Sequence, residues 1–154
     1  DSPLGQVLYA AATGDLEDVG ELAWKPGSAV AVVLAANGYP GQPSLGGVID
    51  GPRLQGSSDN VHIVHAGTAL NDAGELVASG GRVLAVVAQA STLSQARADA
   101  YAGVADLDAP SLFCRSDIAE RAEQGDIEVS NTYQVNSSYA QYVADVAEGD
   151  AGEW

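Results

Sequence analysis

Positive charge is scarce in this chain of 154 residues, which has 6 Lys and Arg residues against 21 Asp and Glu residues and a net charge of −15. Such a surface repels nucleic-acid phosphates and anionic lipid headgroups, so we expect no nucleic-acid partner and no membrane partner. An anionic substrate can bind only where the few cations and some backbone N–H groups are concentrated.

Cysteine and long apolar runs are scarce as well. Cys114 is the single cysteine, which excludes an internal disulfide and a multi-cysteine metal site and fits a reducing compartment such as the cytoplasm. Because no apolar run reaches about 18 residues, we expect no transmembrane helix. The chain begins at Asp1 without the basic and apolar regions of a signal peptide, and we interpret this start as a cut within a longer protein.

Alanine and valine instead form patterned runs that predict strands. Residues 28–36 are continuously apolar and Val-rich, which predicts a strand buried on both faces. Residues 61–66 predict a second strand. Residues 76–79 and 82–90 flank Gly80-Gly81, a glycine pair that predicts a hairpin.

Apolar spacing predicts helices at residues 3–13, ending at Gly14, and at residues 92–107. Thr92 and Gln95 have the spacing of a capping box at the start of the second helix. The residues predicted to share its apolar face are Leu93, Ala96, Ala100, Val104 and Leu107. Strands in hairpins followed by a covering helix indicate an α+β fold with a mostly antiparallel sheet and covering helices.

Several short motifs, in order and with sensible spacing, resemble one family. They are Gly38-Tyr39-Pro40-Gly41 after the first strand, His65-Ala66-Gly67-Thr68, Ser79-Gly80-Gly81-Arg82-Val83-Leu84, and Phe113-Cys114-Arg115-Ser116-Asp117-Ile118 after the long helix. Together they resemble the C-terminal domain of phosphoribosylamine–glycine ligases, with a fold like the C-terminal domain of ATP-grasp, biotin-carboxylase-like enzymes. The resemblance divides the chain into residues 1–27, the end of the ATP-grasp domain and a connecting helix; 28–124, the C-terminal domain; and 125–154, an acidic extension.

The resemblance also implies a reaction. ATP phosphorylates the glycine carboxylate, and the amine of 5-phosphoribosylamine attacks the acyl phosphate. The implied partners are the small molecules phosphoribosylamine, glycine and ATP, and the implied cofactors of the intact enzyme are ATP and Mg (or Mn). The chain has Lys25 as its only lysine and no Walker-type loop, so we expect no catalytic residue, metal site or cofactor within it and no activity from it alone.

The substrate-binding residues that the resemblance implies lie at strand ends and turns, and we expect them to converge on one edge of the sheet. They are Gly38, Tyr39, Pro40, Gly41, His65, Gly67, Thr68, Gly80, Gly81 and Arg82. Among them, Arg82 is the candidate for holding a phosphate, since a guanidinium fork suits that group. We expect the three glycines at 67, 80 and 81 to let the backbone approach an anion closely.

Alternatives remain open for these residues. In the alternative interpretation, the 38–41 loop is only a turn, His65 is a hydrogen-bonded structural residue, and Arg82 is a surface cation. We expect Arg115 and Asp117 to form a local ion pair and Cys114 to be a small core residue. A non-catalytic scaffold or binding domain of another ATP-grasp carboxylase-like protein is the alternative function, and residues 42–47, which carry no charge, depart from the basic and acidic pattern of the family.

Overall fold

A computed structural model describes residues 2–51, 54 and 60–127 of the chain. Its helices are α1 (Leu4–Thr13), α2 (Leu93–Ala105) and α3 (Glu120–Glu123), with a short 3-10 helix at Leu16–Val19. Its strands are β1 (Ser28–Ala36), β2 (Val61–His65), β3 (Thr68–Leu70), β4 (Leu76–Ala78), β5 (Arg82–Ala90) and β6 (Leu112–Phe113). Residues 128–154, most of the predicted acidic extension, lie outside the described part.

The main sheet has the strand order β2-β5-β1-β6, and every neighbouring pair is antiparallel. Helix α2 packs across β1, β2 and β5. The predicted α+β class with an antiparallel sheet and a covering helix is therefore confirmed. Strand β1 has the predicted bounds, whereas β2 ends at His65, one residue earlier than predicted.

Only one face of this sheet is buried in the described part of the chain. Along β1, Val30, Val32 and Leu34 are buried under α2, whereas Ala31 and Val33 are exposed. The prediction that β1 is buried on both faces is therefore wrong. Antiparallel sheets commonly pack one face on the core and leave the other free. The free side is called the open face below. Its residues are Ala29, Ala31, Val33, His62, Val64, Ala85, Val87 and Gln89.

The buried stripe of α2 consists of small residues. Ala96, Ala100 and Gly103 are buried, and their size lets the helix axis approach the sheet closely. Leu93, Val104 and Leu107, which the spacing predicts to be buried, are only partly buried against the core. The predicted helix face is therefore correct in direction, but the large residues lie at its edges.

The predicted hairpin at Gly80-Gly81 is wrong. Strand β4 pairs with β3 in a separate two-stranded sheet, and the Gly80-Gly81 segment carries the chain from that sheet into β5. The hairpin turn lies instead at residues 71–74. There the Asn71 side-chain oxygen accepts hydrogen bonds from the backbone N–H groups of Ala73 and Glu75, and Gly74 has a φ of +77°.

Helix α1 ends where the sequence predicts, with Gly14 in the left-handed conformation at a φ of +86°. It packs on the 3-10 helix that follows it. Its apolar residues Leu4 and Leu8 are 64% and 61% exposed, so α1 buries little apolar surface within the described residues.

Thr92 caps α2, and its removal tests the start of the helix. Its side-chain oxygen accepts a hydrogen bond of 3.2 Å from the Gln95 N–H, which is half of the predicted capping box, while the Gln95 side chain bonds Asp99 instead. We expect Thr92→Ala to lower the free energy of unfolding by about 0.5–2 kcal/mol, because an N–H at the helix end loses its acceptor. Urea unfolding of the chain measures the change. Thr92→Ser keeps the acceptor and is the control; if serine and alanine are equally destabilising, the cap is not the cause.

Candidate functional site

Three of the predicted segments meet at one end of the main sheet. A Cβ atom added to Gly67 would lie 2.8 Å from Gly80 Cα, and one added to Gly81 would lie 2.6 Å from Cδ2 of the Tyr39 ring. The loop after β1, the loop after β2 and the segment before β5 are therefore in direct contact. The convergence expected from the sequence is present in the structure.

Backbone hydrogen bonds hold these segments together. The Gly67 N–H donates to the Arg82 carbonyl at 3.0 Å, and the Ser79 N–H donates to the Gly67 carbonyl at 2.8 Å. From the other side, the Ala36 N–H at the end of β1 donates to the Gly81 carbonyl at 2.9 Å. The glycines thus serve the close contact of backbone with backbone and with Tyr39. The N–H of Gly67, expected to be available to an anion, is already bonded within the protein.

A groove of about 620 Å³ opens beside this junction, on the open face of the sheet. We call it the Arg82 groove. Its lining residues are Val33, Tyr39, Val64, Ala66, Gly67, Gly81, Arg82, Leu84 and Ala85. The floor is apolar, and Arg82 is the only charged residue in that set.

A β-bulge directs Arg82 toward this groove. Leu34 of β1 pairs with Leu84, but the next residue, Ala35, pairs with Arg82, so β5 contains one extra residue at this point. Strict alternation would place Arg82 on the α2 side together with Leu84. The extra residue shifts Arg82 to the side of Val33 and the open face, which is how bulges commonly redirect side chains near functional sites.

The Arg82 side chain is exposed and makes no hydrogen bond or ion pair with any residue that the structure describes. The bulge was missed by the sequence analysis. Its only local signal is that the consecutive residues Val83 and Leu84 are both apolar, and all of β5 is too apolar for that signal to be seen.

His65 and Thr68 lie away from the groove lining. His65 pairs with Leu84 across the strands, which places it on the α2 side of the sheet, opposite to the open face. Its Nδ1 lies 3.1 Å from the Thr68 hydroxyl, so the two side chains hydrogen-bond to each other across the loop. This geometry matches the structural alternative for His65.

Gly38, Pro40, Gly41 and Gly80 are not among the residues that line the groove either. Gly38 has a φ of +93°, which favours glycine, and it begins the turn that Pro40 and Gly41 continue. The Tyr39–Pro40 peptide bond is cis. Gly80 is covered by Gly67. Of the ten predicted residues, the structure therefore brings Tyr39, Gly67, Gly81 and Arg82 to the groove.

The remaining candidates have structural roles. Arg115 and Asp117 form the expected ion pair, with a distance of 2.8 Å from Nε to Oδ1, and the hydrogen bond from Arg115 holds the pKa of the Asp117 carboxyl below its usual range. Cys114 packs against the core as expected, and burial raises the pKa of its thiol, which disfavours a nucleophilic role.

The described residues, 2–51, 54 and 60–127, contain no group of three or more His, Cys, Asp or Glu residues placed to hold a metal ion. None of their helices has the length and apolar character needed to span a membrane.

Comparison with known proteins gives one consistent result. The family model described as "Phosphoribosylglycinamide synthetase, C domain" matches residues 29–121. Curated relatives named phosphoribosylamine–glycine ligase include that of Mycobacterium tuberculosis, which is 50% identical over 129 residues, covering 84% of this chain and 29% of the relative. That of Corynebacterium ammoniagenes is 44% identical over 130 residues, covering 84% of this chain and 30% of the relative.

A solved structure shows the same similarity. The crystal structure of phosphoribosylamine–glycine ligase from Thermotoga maritima superposes with a TM-score of 0.56 at 35% sequence identity. The match covers 71% of this chain and 27% of that chain. The chain therefore spans less than a third of the length of the proteins that it matches.

Proposed function

This chain belongs to the phosphoribosylglycinamide synthetase C-domain family, and we propose that it forms one wall of the substrate cleft of a phosphoribosylamine–glycine ligase. In this proposal residues 28–124 are the ligase C-terminal domain, with the fold of the ATP-grasp C-terminal domains. Residues 1–27 connect it to the ATP-grasp domain, and residues 125–154 are an extension. The enzyme acts in purine biosynthesis in the cytoplasm.

The proposed reaction joins glycine to 5-phosphoribosylamine at the expense of ATP. The described residues offer no cluster of metal ligands, and the sequence has no Walker-type loop. The residues of this chain do not fit a site for a nucleotide and its metal ion, so we assign ATP and Mg (or Mn) to the part of the enzyme outside this chain. What this chain contributes is the binding and orientation of phosphoribosylamine, and the chain alone is inactive.

The observation that carries the proposal is the exposed Arg82 in a groove whose other described lining residues are uncharged. A phosphate monoester carries up to two negative charges and presents several oxygens, which a guanidinium fork binds through two parallel hydrogen bonds. Elsewhere the surface of this chain, with its net charge of −15, repels such a group. The apolar residues of the floor offer no competing charge beside the guanidinium.

Replacing Arg82 tests the proposed wall. The protein to be assayed is a chimera in which this chain replaces the 129 matching residues of the Mycobacterium tuberculosis ligase. We expect Arg82→Ala to raise the KM for phosphoribosylamine roughly ten- to hundredfold. This corresponds to about 1.5–3 kcal/mol of binding free energy, the contribution of the charge-assisted hydrogen bond that is lost. The KM values for ATP and glycine stay close to those of the parent chimera. Steady-state kinetics with each substrate varied in turn measure all three.

Arg121→Ala is the matched control, since Arg121 lies on α3 and does not line the groove. It leaves all three KM values unchanged. An unchanged phosphoribosylamine KM in Arg82→Ala overturns the proposed wall. A folded chimera without ligase activity favours the alternative of a non-catalytic scaffold domain.

A further inference from the structure

Gly81 is a glycine for reasons of space. Its φ lies outside the left-handed region, so its backbone conformation is open to other residues. A Cβ atom at this position would lie 2.6 Å from Cδ2 and 3.1 Å from Cε2 of Tyr39. Carbon atoms in contact are separated by about 3.5–4.0 Å. The Tyr39 ring therefore rests directly on the bare backbone of Gly81, and any side chain there would displace it.

Tyr39 is fixed to the sheet on its other side. Its backbone N–H donates to the Ala36 carbonyl at 3.0 Å, and the same residue Ala36 donates its N–H to the Gly81 carbonyl at 2.9 Å. The Ser44 N–H donates to the Asn37 carbonyl at 2.8 Å and closes the loop that carries Tyr39. The ring and the Gly81 backbone are thus both attached to the last residue of β1.

The backbone at Arg82 is held by contacts on two sides. It is bonded by Gly67 on one side, and the neighbouring Gly81 is covered by Tyr39 on the other. The Arg82 guanidinium makes no hydrogen bond or ion pair with the described residues. A bulge leaves the extra residue unpaired and disrupts the ladder locally, so the strand pairing alone holds the backbone less firmly there.

We propose that Tyr39 and Gly81 are positioning residues: the Tyr39 ring, seated on Gly81, holds the start of β5 so that Arg82 points into the Arg82 groove. This inference rests on the proposed function, in which Arg82 binds the phosphate of the substrate. The loop that carries Tyr39 then acts on the substrate through Arg82. Binding a phosphate with both arms of a guanidinium requires its backbone to be fixed within a fraction of an ångström.

The first test is a double-mutant cycle between the two positions in the chimera. We expect Gly81→Ala to raise the KM for phosphoribosylamine by about tenfold or more, with kcat within about twofold of the parent, because the added methyl group displaces the Tyr39 ring and with it Arg82. Tyr39→Ala gives a similar increase. In the Tyr39→Ala background the added methyl group at position 81 meets no ring, so Gly81→Ala then changes little.

The second test shows whether the pair acts through Arg82. In the Arg82→Ala background, we expect Gly81→Ala to leave the KM for phosphoribosylamine at the value of the Arg82→Ala single variant. If Gly81→Ala raises the KM equally with and without Arg82, the positioning role is wrong. If Arg82→Ala raises the KM and Gly81→Ala does not, the positioning role also fails while the proposed function stands. If Arg82→Ala itself leaves the KM unchanged, the proposed function fails.

Gly5→Ala is the control for the glycine-to-alanine change. Gly5 lies on α1, and an added Cβ atom there meets nothing within 4 Å. It leaves the KM unchanged. Melting temperatures of all variants separate positioning from folding. If Gly81→Ala lowers the amount of folded enzyme but leaves the KM unchanged, Gly81 has only a packing role, and that result overturns the proposal.

Discussion

Leu84→Ala is expected to lower the free energy of unfolding of the chain by about 2–5 kcal/mol. Leu84 is 1% exposed, pairs directly with Leu34 and lies among the largest fully buried side chains of the core under α2. Its truncation removes apolar contacts on both strands and leaves a cavity that rigid β-strands cannot close. Urea unfolding followed by circular dichroism gives the change, with an unaltered m-value showing that the unfolded state is the same.

Val33→Ala is the comparison on the opposite side of the same sheet. Val33 is the neighbour of Leu34 in β1, but it is 46% exposed on the open face. We expect this truncation to cost no more than about 0.5 kcal/mol, the usual range for surface positions. A loss at Val33 as large as that at Leu84 would mean that the open face is buried in the free chain, contrary to the one-sided sheet described above.

The sequence predicts which segments of the main sheet are strands, but it does not reveal which of their faces is buried. In β1 the buried residues are Val30, Val32, Leu34, Ala35 and Ala36, and the exposed ones are Ala29, Ala31 and Val33. Both sets are apolar, so the alternation of polar and apolar residues that marks a half-buried strand is absent. Which face is buried depends on the side on which α2 packs, and that is decided by tertiary structure.

The hairpin prediction failed for a related reason. A glycine pair between two apolar runs is a strong local signal for a hairpin turn. Here the two glycines make close contacts with distant residues, Gly80 with Gly67 and Gly81 with Tyr39. The real turn at Asn71 uses a side-chain oxygen to bond the backbone, which is a common turn motif, but the flanking strand β3 has only three residues and gave no periodic signal.

The site was predictable as a set of segments and not as a set of side-chain directions. The motifs of the family select the loops that meet at the end of the sheet. Whether a side chain lines the groove depends on strand register: His65 pairs with Leu84 and lies on the α2 side, and Arg82 reaches the open face only because of the bulge. A register shift of one residue reverses such directions, and no local pattern encodes it.

Arg97 on α2 is the centre of a second cluster that the sequence analysis did not single out. Its Nε–H donates to the Ile118 carbonyl at 2.9 Å and its Nη2 to the Ser116 carbonyl at 3.0 Å. The guanidinium also lies 5.2 Å from the centre of the Tyr101 ring. The Tyr101 hydroxyl donates to the Arg115 carbonyl at 2.7 Å and accepts a hydrogen bond from the Ile118 N–H at 3.0 Å. Two side chains of α2 therefore hold the segment that follows β6.

Arg97→Ala is expected to lower the free energy of unfolding by about 2–4 kcal/mol. Two charge-assisted hydrogen bonds and a cation–π contact are lost, and the Ile118 carbonyl is left part-buried without its donor. The ion pairs of Arg97 with Glu120 and Glu123 are long, at 4.0 and 3.6 Å, and involve partly exposed glutamates, so they add little. Arg97→Lys keeps the charge but not the fork of the guanidinium. We expect its free energy of unfolding to lie between those of the wild type and Arg97→Ala.

The matched control is Arg115→Ala, in the segment that Arg97 holds. Arg115 makes its ion pair with Asp117 at the surface, where both side chains are largely exposed, so its removal hardly changes stability. Hydrogen exchange supplies a local measurement: in Arg97→Ala the Ile118 amide, which bonds Tyr101, exchanges faster than in Arg115→Ala, because the segment it belongs to opens without global unfolding. Equal stability loss in the two variants, or an unchanged exchange rate at Ile118, would show that Arg97 does not hold this segment to α2.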